Sequence, residues 1–209
     1  MIRLLRWLVV AELNTWRNLF LWVTRRVPGT GPRVQAFSYT RDLGPIFGVF
    51  IFLSLVELPV VHLLIPWDTA RLVVLVLSVW GVLWMVGMLA GVKVHPHLLD
   101  DHGLRVRYGP AVDIHVPAAA IAGVTAERGR VDTQRSVHVE GTVLSVPVVK
   151  QTRVRVVLRA PTDLDGHAGI TEVRFYADDA RGLVAGARER ITAVQDGEHA
   201  AAVRRRPGR

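Results

Sequence analysis

The stretch LGPIFGVFIFLSLVELPVVHLLIPWDTARLVVLVLSVWGVLWMVGMLAGV, residues 43–92, decides the fold of this 209-residue chain. Its ionisable residues are Glu57, His62, Asp68 and Arg71. Two apolar segments, 43–65 and 72–92, each exceed the roughly 20 residues with which an α-helix crosses a 30 Å hydrocarbon core. Only residues 66–71 join them. So short a connection predicts a transmembrane helical hairpin over 43–92, with both ends of the chain on one side of the membrane.

The formal net charge of +8 is concentrated at the two ends of the chain. Residues 1–42 contribute +5 and residues 201–209 contribute +4, whereas residues 98–200 hold thirteen bases and fourteen acids. A nearly neutral polar half lacks the clustered bases that phosphate neutralisation requires, so we expect no nucleic-acid partner. The chain has no cysteine, which excludes disulfides, thiolate catalysis and cysteine-bound metals.

Basic residues flank the open end of the predicted hairpin. Arg71 is the only base in the connection, whereas the flanks carry Arg25, Arg26, Arg33 and Arg41 before the first span, and Lys93, Arg105 and Arg107 after the second. Short cytoplasmic segments carry the excess of Lys and Arg. The pattern predicts a multi-pass protein of the cell inner membrane with both termini in the cytoplasm.

The first 23 residues have the period of an amphipathic helix. Its apolar side is Ile2, Leu5, Val9, Leu13, Trp16, Phe20 and Val23, and its polar side includes Arg3, Arg6, Asn14, Arg17 and Asn18. Basic residues on the polar side and aromatic residues on the apolar side suit a helix that lies on an anionic membrane leaflet. The alternative is a helix that packs on the protein itself. The membrane-surface candidates are Arg3, Arg6, Arg17, Arg25 and Arg26. Residues 24–42 predict a turn-rich linker, which completes an N-terminal region over 1–42.

Past Lys93 the apolar residues alternate with period two. Residues 104–108 and 112–116 predict an antiparallel hairpin, and further strands are expected at 121–126, 137–148, 153–159 and 171–176. Asp178 and Asp179 can cap a helix whose apolar stripe is Leu183, Val184, Ala187, Ile191 and Val194. We therefore predict an α+β protein in which the hairpin is followed by an antiparallel β-roll with a closing helix, over 93–196. The basic tail, 197–209, is expected to be disordered.

Short motifs in this half are similar to known bacterial domains. DHGLRVRYG at 101–109, followed by VP at 116–117 and IAGV at 121–124, resembles the opening strands of membrane-attached bacterial pleckstrin-homology-like (PH-like) domains. The layout over about residues 43–194, including VELPVVHLL and TEVRFYADD, is similar to that of uncharacterised two-helix integral membrane proteins of actinobacteria. The resemblance implies a PH-like roll on the cytoplasmic side. It supplies neither a catalytic residue nor a ligand.

Glu57 is the most informative single residue of the hairpin. It lies nine positions before Pro66, near the middle of the bilayer, where an ionised carboxylate is costly and should be protonated or paired. Trp80 falls at the same depth of the second helix and could donate its indole N–H. Glu57 with His62 is therefore either a proton-relay or ligand site, or else Glu57 is a neutral, hydrogen-bonded clip within the hairpin.

Two glycine pairs lie at the cytoplasmic ends of the spans. Gly44 and Gly48 begin the first, and Gly87 and Gly91 end the second. Small residues four apart allow close approach of helices in lipid, so the pairs predict contact within the hairpin, with homodimerisation as the alternative.

Nothing in the sequence indicates an enzyme. His95, His97 and His102 lie near two aspartates, but the spacing is unspecific, and we predict no metal, cofactor or catalytic residue. The expected function is a non-enzymatic membrane protein that presents a PH-like interaction or assembly module to a protein partner at the inner face of the cell membrane. The alternative is a subunit of an oligomeric transporter or proton-coupled complex using Glu57 and His62.

Overall fold

A computed structural model describes residues 2–204, with side chains described for Arg6 and over residues 9–192. The chain forms two compact units, a helical unit of residues 1–28 and 40–95 and a β unit of residues 29–39 and 96–209. The helical unit contains α1 (Ile2–Val23), α2 (Leu43–Leu64) and α3 (Asp68–Lys93). The elements of the β unit are β1 (Gln35–Phe37), β2 (His97–Asp100), β3 (Gly103–Tyr108), β4 (Val112–Pro117), β5 (Ile121–Arg130), β6 (His138–Glu140), β7 (Val143–Val146), β8 (Gln151–Leu164), β9 (His167–Phe175) and α4 (Ala180–Arg204).

The two apolar segments form the helices α2 and α3, as predicted. By length and composition both are able to cross a membrane. The connection is shorter than the sequence indicated, because α3 already begins at Asp68. An acidic residue in the first turn interacts favourably with the helix dipole, and Asp68 also pairs with Arg71 of the same turn. This local pairing extends the helix into the polar residues that were expected to form a loop.

The β unit consists of two sheets, with strand orders β1-β2-β3-β4 and β5-β8-β9-β7-β6. All neighbours are antiparallel except β7 and β9, which run parallel, so the roll is mixed rather than purely antiparallel. The predicted strand over 137–148 is in fact the hairpin of β6 and β7, which turns at Gly141 with a φ of 59°. β8 runs through Pro161 to Leu164, beyond the end of the strand predicted over 153–159. A register shift between Val157 and Thr162 accommodates the missing N–H.

The segment expected to be a linker contributes a strand to the β unit. β1 pairs with β2, with Gln35 opposite Leu99 and Phe37 opposite His97. Tyr39 follows, fully buried, and its hydroxyl accepts the backbone N–H of Gly109 at 2.7 Å. A three-residue strand is too short to show an alternating pattern, so the sequence alone did not reveal it.

The core of the β unit lies between the two sheets and α4. In β4 burial alternates along the strand, as predicted from its period. The Asp179 carboxylate accepts the N–H of Gly182 at 2.9 Å and so caps α4. Leu183, Val184, Ala187 and Ile191 of the predicted stripe are buried, while the side chain of Val194 lies outside the described residues. α4 continues to Arg204, so residues 197–204 are helical where a disordered tail was expected, and residues 205–209 lie outside the described part.

Candidate functional site

The indole of Trp80 contacts Glu12 of α1 and not Glu57. Its Nε1 donates to Glu12 Oε1 at 3.1 Å, and Trp16 Nε1 donates to the same oxygen at 2.6 Å. Hydrogen bonds to a carboxylate are stronger than neutral ones, and more so where water is scarce. Glu12 was not predicted as a partner of Trp80, because it lies outside the two helices of the hairpin. The signal that was present is the step of four residues from Glu12 to Trp16, which places both on one face of α1.

Gly87 provides the closest approach between α1 and α3. A Cβ at Gly87 would collide with the Thr15 side chain and lie 3.1 Å from the Thr15 carbonyl oxygen. Gly91 is also buried, whereas a Cβ at Gly44 or Gly48 would meet no atom within 4 Å. The structure therefore does not bring the two glycine pairs together, because α1 occupies the surface of α3 that the second pair opens. The homodimer alternative for Gly44 and Gly48 stays a prediction.

α1 packs on α3 through a face that carries small and polar residues. Thr15 and Asn18 are buried at 8% and 4% exposure, whereas Leu13 and Phe20 on the apolar side are 64% and 63% exposed. A helix that packs against a protein in water buries its apolar stripe instead. Helices packed in lipid have the opposite arrangement, in which polar and small residues face the neighbouring helix and apolar residues face outward.

α1 and α3 run in the same direction. Glu12 lies beside Trp80, Thr15 beside Gly87, and Trp22 beside Lys93, whose ammonium lies 5.3 Å from the ring centre. Arg25 and Arg26 share a cleft with Trp22 and Lys93, so three cations gather where α1 and α3 end. Arg6 and Arg17 are exposed, and the side chain of Arg3 lies outside the described residues.

Glu57 and His62 lie exposed on α2. Within the described residues neither side chain makes a hydrogen bond or an ion pair. The predicted clip between Glu57 and Trp80 is therefore not formed, because Trp80 faces α1. The functional role suggested for Glu57 and His62 stays a prediction.

His97 is a structural residue of the β unit. Its Nδ1 accepts the backbone N–H of Arg107 at 3.0 Å, and its Nε2 lies 2.7 Å from the Tyr176 carbonyl oxygen, to which it donates. The ring packs 4.8 Å from Tyr39 and 4.9 Å from Phe175. Burial lowers the pKa of His97 to about 4, so the imidazole is neutral. Over the described residues no group of His, Asp and Glu is arranged to hold a metal ion.

Comparison with protein-family models, curated proteins and solved structures found no match for this chain.

Proposed function

We propose that this chain is a non-enzymatic integral protein of the cell inner membrane that presents its β unit as an interaction or assembly module in the cytoplasm. The main support is the exposure of α2 and α3. None of the apolar window of α2 and 6% of that of α3 is buried, and Leu63 is 84% exposed. Exposed apolar surface costs about 25 cal/mol per Å² in water and almost nothing in hydrocarbon, so these surfaces favour a bilayer as their surroundings.

The β unit has a core of its own and an open sheet edge at β6. β6 pairs with β7 on one side only. Because hydrogen-bonded pairs alternate in an antiparallel ladder and the two-residue turn fixes Glu140 opposite Val143, the N–H and C=O of Val139 point away from β7. A shallow groove at this edge is lined by Val137, Val139, His167 and Ala168. An extended peptide of a partner protein can add a strand here.

The other edge of this sheet is partly covered. The Arg188 guanidinium donates to the Val124 carbonyl at 3.1 Å, and Arg159 donates to the Ile121 carbonyl at 3.1 Å. These bonds occupy backbone acceptors at the beginning of β5. The β6 edge is therefore the better candidate for strand addition.

Photo-crosslinking in native membranes tests this function. We expect a crosslinking amino acid at His138 of the full chain to give a discrete adduct, and the same group at Val157 in the middle of the sheet to give none. Val139→Pro removes the outward N–H and should abolish the adduct at unchanged abundance. Adducts of equal yield at both positions, or an adduct that persists in Val139→Pro, would contradict docking at this edge.

Orientation depends on α1. The cations Arg25, Arg26 and Lys93 at the ends of α1 and α3 favour a cytoplasmic position for those ends. Because α1 runs parallel to α3, embedding α1 in the bilayer would place the N-terminus on the opposite face. A helix lying on the leaflet would keep the N-terminus in the cytoplasm, as the sequence predicted, but α1 would then have to leave its contacts with Trp80 and Gly87 of α3. Reporter fusions at Ile2 and at Arg204 separate the two arrangements.

The transporter or proton-coupled subunit is the second candidate. It is favoured by Glu57, an exposed carboxylate near the centre of α2 without a partner among the described residues. The chain would then need further subunits to enclose a pathway.

A further inference from the structure

One cleft of the β unit, of about 850 Å³, is lined by cations. It lies between the end of β5, the segment 131–136 and the turn from β7 to β8. Its charged lining residues are Arg128, Arg130, Arg135 and Lys150, and no acidic residue lines it. The hydroxyl groups of Thr133 and Ser136 add neutral donors. The chemistry of the wall is therefore that of an anion site.

The three arginines of the cleft differ from those arginines of the same unit that pair with an acid. Arg105 and Arg107 pair with Asp113, and Arg155 and Arg174 pair with Glu172. By contrast, the guanidinium groups of Arg128, Arg130 and Arg135 make no hydrogen bond or ion pair within the part of the chain that the structure describes. Like charges held together repel one another, and a bound anion relieves that repulsion.

Asp132, which precedes the lining residues 133–136, is already paired with one of the cations of the cleft. Asp132 pairs with Lys150 at 2.5 Å, and this hydrogen bond, with a further contribution from Arg130, lowers the pKa of the Asp132 carboxyl. The negative charge of Asp132 thus offsets one of four cations, and the cleft keeps a net positive charge. Over residues 98–200 the bases and acids are almost balanced, so the total charge conceals this local excess.

The turn that carries Lys150 is strained. Val149 and Lys150 have φ values of 48° and 62°, held by the hydrogen bonds between Val148 and Gln151 at 2.9 and 3.0 Å. Two-residue turns of this kind favour Asn and Gly, and a β-branched residue at positive φ is unusual. Strained backbone is concentrated at ligand-binding positions. Here it presents Lys150 and an exposed Val149 at the rim of the cleft.

We propose that this cleft binds a phosphate-bearing group through Arg128, Arg130, Arg135 and Lys150. The planar guanidinium matches phosphate oxygens with paired N–H donors, and the ammonium adds a point charge. The phosphate can belong to the headgroup of an anionic phospholipid or to a soluble phosphate compound. A nucleic-acid strand fits less well, since it requires a track of cations along several phosphates. The proposal rests on the β unit alone and does not depend on docking at β6.

Calorimetric titration of the full chain in a nonionic detergent tests the site. The probes are inorganic pyrophosphate, monomeric dihexanoylphosphatidylglycerol and a single-stranded oligonucleotide. We expect saturable binding that weakens as salt is raised. Arg130→Gln should lower the affinity by about tenfold, and Arg135→Gln similarly, because each removes a charge-assisted donor. Arg181→Gln is the matched control, since Arg181 is exposed, lies outside the cleft and loses the same charge.

Each outcome bears on the proposal. Binding of both phosphate probes, or of one, supports the site and identifies the source as soluble, lipid or either. Equal thermal stability of the variants ensures that lost binding is not lost folding. Saturable binding of neither phosphate probe, an equal effect of Arg181→Gln, or tighter binding of the oligonucleotide than of both phosphate probes would overturn it.

Discussion

The buried imidazole of His97 makes the stability of the β unit depend on pH. Nδ1 accepts the N–H of Arg107 and Nε2 donates to the Tyr176 carbonyl, so only the neutral ring satisfies both bonds. Burial lowers the pKa of His97 to about 4 in the folded state from 6.5 in the unfolded chain. The unfolded chain therefore binds a proton that the folded chain does not. Stability from this residue is complete above pH 6.5 and is lost as the pH falls towards 4.

The magnitude follows from the shift. At about 1.36 kcal/mol per pKa unit, the wild type should lose about 2.5 kcal/mol between about pH 7.5 and about pH 4.5 through His97 alone. His97→Gln cannot titrate and retains an amide that can accept and donate. We expect its free energy of unfolding to be lower at neutral pH by roughly 1 to 3 kcal/mol, because at least one bond will be poorly made. The free energy of unfolding of His97→Gln should also fall less steeply with pH. Between about pH 7.5 and about pH 4.5 its loss should be smaller than that of the wild type by about 2.5 kcal/mol.

Urea unfolding of the full chain in a nonionic detergent measures this. All six tryptophans lie in the helical unit and would dominate the near-ultraviolet signal, so pulsed hydrogen exchange of the backbone amides of β3, β4 and β9 reports on the β unit. His115→Gln is the control, because His115 is exposed on β4. It should follow the wild type at every pH. Parallel loss of stability in wild type and His97→Gln would refute the assignment of a neutral buried His97.

The remaining predictions concern three other positions. Val149→Asn should raise the free energy of unfolding by about 1 kcal/mol in urea titrations, because Asn tolerates positive φ better than Val, and a loss of stability would count against strain there. Gly87→Leu should destabilise the packing of α1 on α3 by roughly 1 to 3 kcal/mol and increase hydrogen exchange in α1, while Gly48→Leu, which meets open space, should not. Because the Glu57 side chain makes no hydrogen bond or ion pair within the described residues, neither Glu57→Gln nor Glu57→Leu should lower abundance or thermal stability in a melting assay. Loss of the cellular phenotype in Glu57→Gln at normal abundance would instead favour the proton-coupled alternative.

The sequence predicted those helices and strands that neighbouring residues determine by themselves. α2 and α3 follow from continuous apolarity, β3 and β4 from alternation, and the start of α4 from the capping aspartates. Contacts between distant segments were not predictable in this way. The pairing of Trp80 with Glu12 spans 68 positions, and no periodicity within either helix indicates it. The cationic cleft was not predictable either. Its four cations are spread over residues 128–150, among acids that balance their charge in the sequence, and only the folded turns bring them together.

The β unit is built from two separate segments, 29–39 and 96–209, so its boundaries could not be predicted from composition. The polar segment before α2 and the segment after α3 look like a linker and a junction, yet they pair as β1 and β2. Tyr39 from one and His97 from the other stack at 4.8 Å beside the hydrogen bond of Tyr39 to Gly109. A fragment that begins at residue 98, as the β pattern suggests, would lose both rings and the strand that covers β2. Because the two strands are neighbours, a short linker in place of residues 40–95 can instead join them, and that fragment keeps every residue of the core.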